Sequence, residues 1–479
     1  MPVSALEALS TRLKKATRPF ELIVRSPTLA LKEVPNKFMN NLTDLKNLTG
    51  LDVTAWTGFP TSATKKICQM TFLQQLSSPD FSFNFANLST LTKLCIPGSI
   101  FVGSIQIFQT LTNLRDLRMR SLRQEHVEEV ANLSLLTRLH FGISSNFTAI
   151  LTTLTNLKDL AITAWRHVPP ILTLVASCTT LESLHIDTAL QDPDIDWISS
   201  NTKLTKFHIS CHFDYQSPRF HPLTHLCNIT SAKFVHTAQL TLFSHLKLTS
   251  LEIEPAVLDG NSAFKEILKY TNLQSLSGQV HVAQHCFTTL VNLTQLTWRP
   301  LFYGGITGPT SLKELSLTIC SIQNLPDLTN LESLTLNEQS YFDIKAKQFA
   351  HLTKLRLNLK GAQQAILELP KLSNLFSLRE LYVNAPNNYQ GVNADFLTTL
   401  TNLEMLDMAQ INIPLQIFTK IVHRQTILTQ LRVNCSESNG EILTRLTNLQ
   451  ILYFYSRQPM KGLKLKLEEV LPRLVECQI

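Results

Sequence analysis

His208, Cys211, His212, His221, His225 and Cys227 put six side chains of zinc-ligand type into one short stretch. A zinc site needs such donors to converge tetrahedrally on one point. A strand through Phe207 turns His208 outward and leaves Cys211 and His212 in the turn that follows. His221 and His225 then fall on the return path, on the other side of the unit. That geometry disfavours a single centre, and no metal is expected. The sequence has no Cys-x-x-Cys pair, no G-x-x-x-x-G-K-S/T loop, no H-E-x-x-H helix and no Ser-His-Asp order. The residues nominate no catalytic group and no cofactor, so the expectation is a protein that is not an enzyme.

Binding chemistry is better represented. Arg118, Arg120, Arg138 and His140 recur about one repeat apart, and His185, Lys206, His208 and Lys233 continue the series. Gathered on one face, these groups suit an acidic protein segment or a phosphate. Asp116, Asp159 and Asp187 are interspersed and could leave the same face merely solvated. A second group, Tyr382, Arg432, Tyr453 and Tyr455, is of the residue types that dominate binding hot spots.

What brings such residues together is a repeat. Leu111, Leu114, Leu117 and Met119 stand three, three and two residues apart, and the stretch opens Leu-Thr-Asn-Leu. The same spacing and lettering return from Leu154, Leu328, Leu400 and Leu446. With the third apolar place as marker, 19 copies run from Leu51 to Leu452, at a mean step of about 22 residues. The weakest copies are those marked at Met70 and Ala232. Each copy reads as one short strand whose third and fourth apolar places point inward, with the residues between and beside them pointing out. Adjacent copies pair their strands in parallel. Helical spacing on the return path appears at 124–133, 262–270, 395–403 and 415–428. Around Leu296 to Leu334, where the step is shortest, only turns or a short 3₁₀ segment fit.

The spacing L-x-x-L-x-L led by L-T-N-L resembles the leucine-rich repeat family, in lettering nearest the internalins and a phosphatase regulatory subunit. The resemblance covers about residues 42–455. It implies an α/β solenoid, a curved horseshoe with a concave parallel sheet and a mixed helical and irregular convex side. It also implies a protein ligand on the concave face, with any activity carried by an appended domain. The family usually places an Asn three residues after the last strand leucine; here that place holds Trp56, Leu122, Ser144, Trp165 and Ile411, among others. Uneven curvature follows as an expectation.

Residues 1–36 read as an N-terminal cap, with a helix from Ser4 through Leu13 and a first strand at Phe20 to Val24. Residues 37–456 form the solenoid, and 457–479 a closing cap. One continuous core overrides the several domains that 479 residues would otherwise suggest. The formal charge of +7 is mild at this length and gives no reason to expect nucleic acid. Nine scattered cysteines, an odd number, read as free thiols in a reducing, cytoplasmic setting. No apolar run approaches a membrane span. The leading expectation is an intracellular interaction scaffold whose protein ligand carries an acidic segment. A substrate-recognition subunit of a ubiquitin ligase is an alternative, since residues 34–39 resemble the start of an F-box. The eight N-x-S/T sequons argue for another, an extracellular ectodomain.

Overall fold

The computed structural model describes residues 19–23, 42–54, 61–78, 87–98, 108–122, 124–143, 153–164, 178, 180–187, 196, 198–209, 226–234, 240–241, 243–253, 260–279, 285–299, 306–318, 328–337, 349–359, 369–385, 394–434, 440–455, 467, 469–474 and 476–478. The chain divides into two units, Met1–Val235 and His236–Ile479.

In the first unit the described strands pair in parallel, each with the next in sequence. They are β1 Phe20–Ile23, β2 Leu48–Asp52, β3 Gln75–Ser77, β4 Lys93–Ile96, β5 Asp116–Leu122, β6 Arg138–Ile143, β7 Asp159–Ala164, β8 Ser183–Asp187, β9 Lys206–Ile209 and β10 Ser231–Phe234. Helices α1 Thr61–Ile67 and α2 Gln124–Ala131 lie on return paths.

The second unit repeats the plan. Its strands are β11 Ser250–Ile253, β12 Ser275–Gly278, β13 His285–Cys286, β14 Gln295–Trp298, β15 Ile306–Thr307, β16 Glu314–Thr318, β17 Ser333–Asn337, β18 Lys354–Asn358, β19 Glu380–Asn384, β20 Met405–Asn412, β21 Gln430–Asn434, β22 Ile451–Tyr455 and β23 Glu476–Gln478. All pair in parallel along one ladder except β13 and β15, which pair only with each other. Its helices are α3 Gly260–Ile267 and α4 Leu415–Arg424.

The Leu-Thr-Asn-Leu lettering has a physical reading at each place. The first and second apolar residues close a tight turn, the N–H of the second donating to the carbonyl of the first, as in Leu114 to Leu111 (3.0 Å) and Leu331 to Leu328 (3.0 Å). The Asn just before the second apolar place donates its amide to a turn carbonyl of the preceding repeat. Asn113, Asn156 and Asn228 do so in the first unit, and Asn292, Asn330, Asn402 and Asn448 in the second, at 2.7 to 3.1 Å. The residue just after the second apolar place is often Thr, and its hydroxyl donates to the same place one repeat back. Thr137 bonds the Arg115 carbonyl (3.0 Å) and Thr353 that of Glu332 (3.1 Å). The Asn column satisfies turn carbonyls outside the strand ladder, whereas the Thr hydroxyl adds a further bond to a carbonyl that already accepts backbone N–H groups, as that of Arg115 does from Thr137 and Arg138. The family's usual Asn is missing, and this Asn ladder runs through the turn before the strand instead.

The third and fourth apolar places fill the core. Leu117, Leu160 and Leu334 are fully buried and Leu406 is 1% exposed. Each such side chain gains about 1.5–3 kcal/mol from leaving water. In the second unit Phe264, Phe287 and Trp298 extend the core through edge contacts, both at 5.1 Å between ring centroids.

Some expectations change. The second copy is marked by Leu76, not Met70: Leu76 lies between Leu51 and Leu94 in register. Met70 takes the first apolar place, because Thr64 and Ile67 are drawn into α1. The copy at Ala232 stands as expected, opposite Phe207. Helices form at 124–133, 262–270 and 415–428, slightly shorter than the spacing suggests, whereas 395–403 yields only the 3₁₀ turn Asp395–Thr398. The closing stretch adds a further strand, with Cys477 opposite Leu452. The Ser4–Leu13 helix, residues 34–39, and Cys211, His212, His221 and His225 lie outside the described residues. Among the described residues no helix is long and apolar enough to cross a membrane.

Candidate functional site

In the first unit the outward residues fall into two rows set by register. The central row runs Cys95, Arg118, His140, Ala161, His185, His208 and Lys233 across β4 to β10. The second row runs Lys93, Asp116, Arg138, Asp159, Ser183, Lys206 and Ser231. Of these two rows only the second holds carboxylates, Asp116 and Asp159; a third outward place adds Asp187 on β8, opposite Thr163.

A hollow of about 660 Å³ opens on this face, lined by Cys95, Arg118, Arg120, His140, Asp159, Thr163, His185, Lys206 and His208, among others. Arg138 borders it, and Lys233 stands one rung beyond, opposite His208. Residues far apart in sequence thus share one surface, as the repeat spacing predicts.

The acids here are not solvated spacers. Asp116 is 1% exposed, although its place in the strand faces outward. Arg118 Nε donates to Asp116 Oδ1 at 3.1 Å, and Arg138 reaches Asp116 Oδ2 at 3.3 Å. One buried carboxylate therefore holds two guanidinium groups in place. His140 Nε2 lies 3.2 Å from Asp159 Oδ2, close enough for an ion pair but outside hydrogen-bond alignment. Burial alone would raise the Asp159 carboxyl. The adjacent His140, the Ser183 hydroxyl and the Arg118 charge outweigh it and hold the group below its ordinary value. The rings of His185 and His208 meet edge to face, with centroids 5.6 Å apart. Burial raises the Cys95 thiol despite the nearby Arg118 cation, so it is not an activated nucleophile.

Arg120 is turned outward by strand alternation and stands at an irregularity of β5. Met119 pairs with Phe141 and Leu122 with Ile143, so Arg120 and Ser121 together oppose Gly142. This two-against-one step is a β-bulge, which re-aims the side chain it carries. It also explains the glycine: a Cβ on Gly142 would lie 2.0 Å from the Arg120 carbonyl oxygen.

The second unit carries another row, Arg356, Tyr382, Asp407, Arg432 and Tyr453, on β18 to β22. The Arg356 guanidinium lies 4.7 Å from the Tyr382 ring centre, and that of Arg432 lies 4.3 Å from the Tyr453 ring centre. Arg432 also donates to Asp407 at 3.4 Å. Burial raises the Asp407 carboxyl; Arg432, the Ala409 N–H and Arg356 offset this only in part. Asp407, Gln430, Arg432 and Tyr453 help to line a smaller hollow of about 160 Å³.

The structure thus gathers Arg118, Arg120, His140, His185, Lys206 and His208 in one hollow, and Tyr382, Arg432 and Tyr453 in one row. The side chain of Tyr455 lies outside the described residues. Sequence reasoning missed Asp116 as the anchor of Arg118 and Arg138, and missed Arg356 and Asp407 as partners of the tyrosine group. Aligning outward places rung by rung sets these residues side by side but does not say which of them bond. Among the described residues no three His, Cys, Asp or Glu side chains could hold a metal ion together.

No protein-family model matches the chain, and no curated protein matches it. Solved structures similar to it include the complex of TLR13 with ssRNA13, at 15% identity and a TM-score of 0.44, covering 92% of this chain and 69% of that one. A leucine-rich repeat protein of Leptospira interrogans shares 15% identity at a TM-score of 0.31 and covers 98% of both chains. Internalin C2 of Listeria monocytogenes shares 22% identity at a TM-score of 0.26, over 40% of this chain and 73% of that one. Within the chain itself, the recurring tight turn, the asparagine ladder and the short parallel strand with buried third and fourth apolar places identify it as a leucine-rich repeat solenoid.

Proposed function

We propose that the chain is a non-enzymatic protein-interaction module, and that it binds an acidic protein segment over the outward face of β4 to β9. The observation that carries this reading is the charge of the hollow and its border. Arg118, Arg120, Arg138 and Lys206 supply four permanent cations against three carboxylates, Asp116, Asp159 and the exposed Asp187 at the end of β8, and the first two carboxylates are already engaged. Such a surface attracts and orients an anionic partner. The outward rows of β4 to β10 hold no Phe, Tyr or Trp on which bases could stack, which favours a peptide over a single-stranded nucleic acid. The row in the second unit offers further contact area to the same class of ligand.

Among the described residues Cys68, Cys95, Cys178, Cys227 and Cys286 are thiols rather than disulfides, which is in keeping with work in a reducing compartment.

Arg118 and Arg138 are poor sites for a charge-reversal test, because two new carboxylates would face the buried Asp116. Arg120 and Lys206 are both exposed and serve better. The test is binding of a fluorescein-labelled decaglutamate to the full chain, followed by anisotropy. We expect binding that weakens as salt rises, and a loss of roughly tenfold or more in the Arg120→Glu/Lys206→Glu variant. Unchanged affinity in that variant, or tighter binding of an oligothymidylate of equal charge, would overturn the reading.

A further inference from the structure

We propose that Asn337, Asn358, Asn384, Asn412 and Asn434, on β17 to β21, dock the main chain of a polypeptide segment in the polyproline II conformation. This site lies wholly in the second unit and does not rest on the acidic-ligand reading above.

Asn337, Asn358 and Asn384 are direct partners in register, each one place beyond the fourth apolar residue of its strand. The pairing of β19 with β20 ends at Tyr382 and Asp407, and three residues of β20, Ala409 to Ile411, are extra in its pairing with β21. Beyond them Asn412 stands opposite Asn434. Asn384 is exposed and the other four are half-buried. Asn358 Nδ2 donates to Asn337 Oδ1 at 2.5 Å, which uses one N–H of the first carboxamide and one lone pair of the second. The Oδ1 of Asn412 is buried with no partner among the described residues, so that carboxamide can offer a ligand only its N–H groups. The outward places alongside are close to charge balance. Lys354 pairs with Glu380 at 2.6 Å, Arg432 pairs with Asp407 at 3.4 Å, and the Arg356 guanidinium lies over the Tyr382 ring.

A column of uncharged carboxamides selects for neutral polar groups, and a carboxamide carries the same donor and acceptor as a peptide group. Spacing then selects the conformation. Neighbouring rungs lie about 4.8 Å apart, so Asn337 and Asn384 stand about 9.6 Å apart, with Asn434 two rungs further on. Polyproline II rises about 9.3 Å per turn of three residues and leaves its carbonyls without internal partners. Carbonyls one turn apart therefore meet alternate carboxamides. A fully extended strand repeats its face about every 6.7 Å and falls out of step with the rungs. An α-helix has its carbonyls already bonded. Tyr382 and Tyr453 stand in the adjoining row, and aromatic rings are what proline-rich segments pack against.

The experiment uses the full chain and fluorescein-labelled decaproline, which holds polyproline II and offers carbonyls but no N–H groups. Anisotropy should show saturable binding that changes by less than about twofold between about 0.05 and about 0.5 M salt. Asn358→Ala/Asn384→Ala should weaken it roughly tenfold, the effect of two lost hydrogen bonds. Asn384→Asp keeps the size of an exposed side chain and replaces its donor with an acceptor. It should weaken binding by about fivefold while the denaturation midpoint stays that of wild type, which separates lost recognition from lost folding. The Arg120→Glu/Lys206→Glu variant should bind decaproline as wild type does. No saturable binding, an affinity that collapses as salt rises, or wild-type affinity in both asparagine variants would overturn the proposal. Tighter binding of maltoheptaose that the same asparagine variants abolish would assign the column to a saccharide and overturn it too. None of these results bears on decaglutamate binding in the first unit, so the two readings stand or fall separately.

Discussion

Arg138 on β6 reaches back 3.3 Å to Asp116 on β5, a carboxylate whose side chain is only 2% exposed. Arg118 takes the other oxygen from the same strand. The guanidinium groups keep much of their contact with water, so the contact serves to position them rather than to build stability. Asp116→Ala should cost about 1–3 kcal/mol, less than breaking a fully buried pair, because the orphaned arginines can still be hydrated. A double-mutant cycle with Arg138→Ala should show coupling of about 0.5–1.5 kcal/mol. Strict additivity would mean that Asp116 does not hold Arg138.

Asp159 and Asp407 should respond to pH with opposite sign. Asp159 titrates below its ordinary value, so it stabilises the fold above the unfolded value near 3.9, and that contribution is lost as pH falls through the folded value. Asp407 titrates above its ordinary value, so ionising it costs stability, and the cost appears as pH rises from about 3.9 through the folded value. Repeat arrays open in segments, which makes amide hydrogen exchange the suitable measurement. At about pH 6.5, Asp159→Asn should speed exchange in β7, whereas Asp407→Asn should leave β20 exchange unchanged or slower. The reverse pattern would refute the assignment.

Gly142→Ala should do more damage than its size suggests. The new methyl would meet backbone, the Arg120 carbonyl, rather than a side chain that can swing away. We expect a loss above about 1 kcal/mol and weaker decaglutamate binding, because the bulge carrying Arg120 must shift. Wild-type stability and binding in this variant would show that the bulge is adaptable.

Core and ladder should separate in magnitude. Leu160→Ala opens a cavity in a fully buried place and should cost roughly 2–5 kcal/mol. Asn402→Ala removes one exposed 2.8 Å bond to the Phe376 carbonyl and should cost about 0.5–1.5 kcal/mol. Chemical denaturation of the two variants beside wild type decides. Equal losses would mean that the ladder contributes as much to the fold as the core.

The fold was legible because the leucine spacing is both local and repeated: a marker lost at Met70 hardly matters when its neighbours fix the register. Met70 itself was misread because its spacing continues into α1, and periodicity alone does not say which of two overlapping leucine series enters the strand. The side on which Arg118, His140 and His185 stand followed from strand alternation. Their partners did not. Asp116 looks outward by alternation, yet two arginines cover it, and a side chain's cover depends on rotamers that spacing does not encode. The same holds for Arg356 over Tyr382 and Arg432 over Tyr453. The bulge at Arg120 and Ser121 was visible only as a glycine one strand away.

The asparagine and threonine columns both lie just ahead of the strand, and none of their bonds involves a return path. A return path can therefore gain or lose residues without changing which outward side chain stands beside which. β14 follows β12 after a short detour, and β21 follows β20 by way of α4, yet Leu276 meets Leu296 and Leu406 meets Leu431 at the same place. Insertions should accumulate behind the sheet while the recognition surface keeps its grid, so descendants of this sequence are free to differ in length before they differ in what they bind.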